Sequence, residues 1–128
     1  MTAAPAQGAV GHRAVTLVFT LAGGAEPCTL TGYAAVDSGA GGALVHAQPT
    51  PRGYLGGLPA GVDAPPTVIL SISTQGQAIV EGVAVDADGQ PCPTYTDLLV
   101  NPPDTTAVVT VPATIEACEL QVHPITAV

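Results

Sequence analysis

Acid–base or nucleophilic chemistry needs particular residue types at particular spacings, and the sharpest such grouping in the sequence is Ala34-Ala35-Val36-Asp37-Ser38-Gly39-Ala40. A carboxylate at the end of an apolar strand, followed by a hydroxyl that can fix it, is one half of an acid–base pair. The other half must be a second identical loop, so that two carboxylates share one proton. The sequence holds a single copy, so this chemistry would require two chains, each contributing Asp37 at a two-fold axis. With Gly41 and Gly42 following, the same residues also spell a hairpin turn, which is the simpler expectation.

The catalytic alternative is therefore a homodimeric, retroviral-type aspartic protease. Two features count against it. Gly41, Gly42 and Ala43 stand where such enzymes carry polar and then larger apolar residues, and Tyr54-Leu55-Gly56 is a poor substitute for the apolar-apolar-Gly strand that packs behind the loop. Other chemistry has less support. None of the serines, Ser38, Ser71 and Ser73, lies in a G-x-S-x-G elbow. His12, His46 and His123 lack ligand spacing and are expected as surface or strand histidines, so no metal is expected. Asp86-Ala87-Asp88-Gly89 resembles the start of a calcium loop, but with its glycine aligned the bidentate acid position falls on Tyr95. No glycine cluster opens a helix after a strand, and no cofactor is expected.

The elements that must position these groups read as strands. From Arg13 to Ala22, Val15, Leu17, Phe19 and Leu21 alternate with Ala14, Thr16, Val18 and Thr20, the period of a half-buried strand. Further runs lie at Cys28–Val36, Ala43–Ala47, Thr67–Ser73, Gln77–Val85, Tyr95–Asn101, Thr106–Val111 and Ala117–Ile125, each bounded by Gly, Pro, Asp or Asn. Ala113–Leu120 could make a helical turn after Pro112, but its alternation favours a strand. About eight short strands punctuated this way predict an all-β sandwich or barrel. The 128 residues form a single domain, 1–128, with residues 1–10 as a flexible N-terminal segment.

Composition sets further bounds. Fifteen Gly and 13 Pro interrupt the chain, yet 47% of residues are hydrophobic, enough for a core made of Val and Leu. Ten acidic residues against two Arg and no Lys give a net charge of -8, too few cations to neutralise a run of phosphates, so nucleic acid and anionic membrane surfaces are poor candidates as partners. The acids are scattered singly and read as solubilising charge. No stretch is long and apolar enough to span a membrane, and Met1-Thr2-Ala3-Ala4 does not begin a signal peptide. Either the protein is cytosolic or a targeting segment is absent from this chain.

One connection is unusually long. Residues 49–66, Pro-Thr-Pro-Arg-Gly-Tyr-Leu-Gly-Gly-Leu-Pro-Ala-Gly-Val-Asp-Ala-Pro-Pro, gather Arg52, Tyr54, Leu55 and Leu58. They are expected to form a strap with Leu55 and Leu58 tucked onto the core, or else a loop that binds a partner. Three cysteines, Cys28, Cys92 and Cys118, allow one internal disulfide and leave one thiol over. No C-x-x-C pair exists, so a structural bridge is more natural than zinc.

At Glu26-Pro27-Cys28-Thr29-Leu30-Thr31-Gly32-Tyr33 the sequence resembles a known family, the domain of unknown function 4232 of secreted and lipid-anchored actinobacterial proteins. Gly11-His12-Arg13 and the strand after it, Leu98-Leu99-Val100-Asn101-Pro102-Pro103-Asp104-Thr105-Thr106, Cys92, Cys118 and Val122-His123-Pro124 extend the likeness over nearly the whole chain. The resemblance implies an immunoglobulin-like antiparallel β-sandwich of about 7–8 short strands, secreted or envelope-associated, lipoprotein-like and without enzymatic activity. It implies a disulfide between Cys92 and Cys118 and places Asp37-Ser38-Gly39 in a variable hairpin. Cys28 is left unpaired, and burial beside Leu30 is the expectation for it. The implied function is a binding or structural module, monomeric, that meets an envelope protein or apolar ligand through Arg52, Tyr54, Leu55 and Leu58.

Overall fold

Apolar residues that alternate with polar ones at period two bury one face of a strand, and a computed structural model of the chain is built from such strands. It describes residues 2–3, 7–9, 11–21, 26–53, 55–103 and 108–128, and no helix occurs among them. In chain order the strands are β1 (Thr2–Ala3), β2 (Gln7–Ala9), β3 (His12–Phe19), β4 (Cys28–Thr31), β5 (Ala35–Ser38) and β6 (Ala47–Pro49). They continue as β7 (Thr67–Leu70), β8 (Gly76–Val83), β9 (Thr94–Asn101), β10 (Val109–Glu116), β11 (Leu120–Val122) and β12 (Thr126–Ala127). The protein is all-β, with three open sheets. A seven-stranded sheet runs β1-β3-β8-β11-β6, with β2 also on β3 and β12 also on β8; the others are β10-β9-β5 and β4-β7.

The expected runs are present with shifted bounds. Cys28–Val36 divides at Gly32, whose φ of 96° only glycine adopts freely, so β4 and β5 join different sheets. Ala43–Ala47 is largely hairpin, and the strand there starts at Ala47. Pro112 stays inside β10 opposite Asp97, where a register shift between Pro112 and Ile115 and an edge position make its missing N–H harmless. After Glu116 the chain turns before β11, so Ala113–Leu120 is only partly strand. The start of the Thr106–Val111 run lies outside the described residues. Within residues 1–10, β1 and β2 both pair with β3. Pairing is not antiparallel throughout: β6 lies parallel to β11, because the chain leaves the β5 hairpin at His46 and crosses to the large sheet.

One contiguous core joins all three sheets. Val15, Leu17 and Phe19 of β3, Val80 of β8 and Val122 of β11 meet Leu30 and Val68 of the two-stranded sheet and Tyr95, Leu98 and Val100 of β9. The seven-stranded sheet therefore has a core face and an outer face. Ala78 and Val80 take the first, so Ile79, Glu81 and Val83 take the second.

Cys92 and Cys118 form the disulfide. The end of β8 brings them together, because Val83 O accepts from the Cys118 N–H and Ala84 O from the Cys92 N–H, both at 2.9 Å. Cys28 is a free thiol, but it is exposed rather than buried. It shares the parity of Leu30, yet it is the first residue of β4, beyond the point where the core covers that face. Replacing Cys92 and Cys118 by Ser opens a loop with a separation of 26 residues. Urea denaturation is expected to show a loss of about 3–4 kcal/mol on the chain-entropy relation.

Candidate functional site

The Asp37-Ser38-Gly39 segment folds as a hairpin tied to β9. Ser38 is 2% exposed; its N–H donates to Val45 O at 2.9 Å, and its hydroxyl accepts from the Val45 N–H at 2.8 Å. The Gly39 N–H donates to Asp97 O at 3.0 Å, and the Ala40 N–H to Asp97 Oδ1 at 2.8 Å. Tyr95 closes the turn by donating its hydroxyl to Ala43 O. The Asp37 carboxylate is held by His46, with Nδ1 and Oδ1 2.5 Å apart. The hydroxyl beside Asp37 thus serves the turn's backbone, and the carboxylate has a histidine partner within the same hairpin.

The strap lies on the outer face of the large sheet. A Cβ on Gly56 would sit 2.6 Å from Ile79 Cδ1, and one on Gly53 would sit 2.5 Å from Glu81 Oε1 and 2.7 Å from Gln121 Oε1. Only glycine lets the backbone come this close. Leu58 is buried at 7% exposure but stands outside the contiguous core, and Leu55 is half-buried. The expectation that both tuck onto the core is corrected: they belong to a layer on the opposite side of the sheet. Arg52 is built into the strap, donating from Nε to Leu58 O at 3.3 Å and from Nη2 to Pro59 O at 3.2 Å, and pairing with Asp63 Oδ1 at 2.7 Å. Tyr54 lies outside the described residues.

Beneath the strap is a polar cluster that the sequence reading missed. Glu81 is 3% exposed and His123 is 1% exposed. Glu81 Oε1 accepts from His123 Nε2 and from the Leu55 N–H, each at 2.9 Å, and Oε2 stands 3.4 Å from His12 Nδ1. His123 Nδ1 is 3.0 Å from the Thr50 hydroxyl and 3.1 Å from Thr50 O. A neutral ring accepts from the hydroxyl there, and a protonated one donates to the carbonyl. His123 was expected on the surface or in a strand and is instead a buried link between sheet and strap. Glu81 had one visible signal, a lone acid in the middle of the apolar run Gln77–Val85.

Beside the covered end, the outer face stays open. Register places Ala14, Glu81, Gln121 and Gln48 in one row across β3, β8, β11 and β6. Next to it lies a cleft of about 300 Å³ lined by His12, His46, Gln48, Val83, Glu119 and Gln121, among others. Among the described residues no group of three or more His, Cys, Asp or Glu is placed to hold a metal ion.

Three open β-sheets around one core, a single disulfide and a strap clamped to the outer face by a buried carboxylate define a disulfide-bridged all-β domain with a half-covered sheet. The chain belongs to the family described as Domain of unknown function (DUF4232), which matches residues 1–126. No curated protein and no solved structure matches it.

Removing Glu81 leaves His123 and the Leu55 N–H buried without their acceptor. Glu81→Ala is expected to cost about 2–4 kcal/mol in urea denaturation. Gly53→Ala, which forces the strap off the same carboxylate, is expected to cost about 1–3 kcal/mol. In both variants the Leu55 amide should exchange faster with solvent. A Glu81→Ala protein of unchanged stability, with that amide still protected, would contradict the anchoring role.

Proposed function

We propose that this chain is a non-enzymatic, secreted or cell-envelope-associated binding module, an immunoglobulin-like sandwich that presents the outer face of its large sheet to an envelope partner. The observation that carries this reading is the half-covered face. The strap lies against Ile79, Glu81 and His123, and next to it opens a cleft whose lining includes Glu81, Gln48 and Gln121 but none of the described strap residues. A preformed concavity on rigid strands, next to a fixed loop, is the form that recognition surfaces take. Arg52, Leu55 and Leu58 then act in holding the strap beside the site, with Arg52 bonded to the strap's own carbonyls and the Leu55 N–H to Glu81.

Two further observations support the reading. A disulfide positioned by the backbone of β8 suits an oxidising compartment. The groups with the most chemistry are engaged in structure: Asp37 with His46, Ser38 with the turn, and Glu81 with His123.

Thiol alkylation of unreduced protein taken directly from its native cells tests the compartment, and the expected result is one labelled cysteine, Cys28. Three labelled cysteines would remove the extracytoplasmic assignment. Sizing in solution beside peptide-cleavage assays at acid pH tests the activity. The expected results are a monomer and no cleavage, whereas cleavage by a dimer that disappears in Asp37→Asn would establish the protease instead.

A further inference from the structure

We propose that the open groove on the outer face docks an extended, positively charged segment of a partner protein; this rests on the binding-module reading above. The groove is longer than the first cleft alone. A second cleft, lined by Val83, Val85, Asp86, Ala87, Cys118 and Glu119, shares Val83, Cys118 and Glu119 with it. The two clefts adjoin at the ends of β8 and β11, with Gln48 and His46 lining the first and Val85 and Asp86 the second.

The lining combines two kinds of group. Val45, Val83 and Val85, the last 42% exposed, offer a small aliphatic floor, while Glu119 and Asp86 stand beside it. An extended segment presents its side chains alternately at period two, which suits a lining of this kind. Gln48 and Gln121 add polar side chains to the lining of the first cleft.

The charge balance fixes the sign of the partner. The chain carries ten acids and only two arginines. Arg13 pairs with Glu116 at 3.4 Å and Arg52 with Asp63 at 2.7 Å, so among the described residues neither arginine reaches Glu119 or Asp86. The groove therefore keeps a net negative potential that attracts Lys or Arg and repels anionic ligands.

The test is a ¹⁵N NMR titration of the full chain at low salt with three capped peptides, alternating Lys-Val, Gln-Val and Glu-Val. The Lys-Val peptide is expected to shift the amides of Val83, Val85, Glu119 and Gln121 saturably, and the Glu-Val peptide to leave them unmoved. The double variant Glu119→Gln with Asp86→Asn should bind about tenfold more weakly and melt at the same temperature. Asn at 86 retains the side-chain oxygen that accepts from the Asp88 and Gln90 amides, so the turn survives. Equal affinity of the double variant would overturn the proposal. If the Gln-Val peptide bound the same amides as tightly, the groove would stand as a binding surface and its charge preference would fall. If none of the three moved those amides, the groove would fall as the docking site together with its charge preference.

Discussion

The buried carboxylate of Glu81 is the constraint on which the outer half of the molecule depends. A carboxylate taken out of water must be matched by donors, and Glu81 finds them on segments far apart in sequence: His123 after β11 and the Leu55 amide in the strap, with His12 of β3 beside its second oxygen. Because His123 in turn meets Thr50, the strap is held at both of its early contact points. In a low-dielectric setting such bonds are strong when complete and costly when broken, so the network gives the strap one position. The position of the strap decides where the covered part of the sheet ends and where the groove begins.

A similar economy runs through the loops. Few aromatic side chains are available, 3% of residues, so the long connections cannot be packed by large rings. They are fixed by backbone hydrogen bonds instead. Asp97 receives the Ser38–Val45 turn, the carbonyls of Val83 and Ala84 receive the two bridged cysteines, and Arg52 gathers carbonyls of its own loop. Tyr95, the largest fully buried side chain among the described residues, serves both purposes, with its ring in the core and its hydroxyl on Ala43 O. The groups that looked reactive in the sequence are those that hold these loops in place. That shared use links the architecture to the proposed role of a rigid surface for recognition.

Much of the core was legible in sequence because strand periodicity is local. Val15, Leu17 and Phe19 announce a buried face by alternation alone, and each is buried. The hairpin at Asp37-Ser38-Gly39 was equally readable from its glycines. Cys28 was not, since the parity of a side chain on a strand says which face it takes but not whether the core reaches that far along it. Leu58 was expected inside and is inside, but in a separate layer, because a hydrophobic residue in a long loop does not declare which face of which sheet it will cover.

The sequence by itself determined that the chain is all-β, that its core is aliphatic, that its surface is acidic and that it belongs with DUF4232, all properties carried by composition and short-range pattern. Only the tertiary structure decided that Glu81 and His123 are buried together and that the strap lies on the outer face. It also decided that β6 runs parallel to β11. These depend on contacts between residues 26, 42 and 73 positions apart, as in Leu55–Glu81, Glu81–His123 and Thr50–His123. Whether an acid is solvated or clamped is a matter of what folds over it, and no local pattern contains that information.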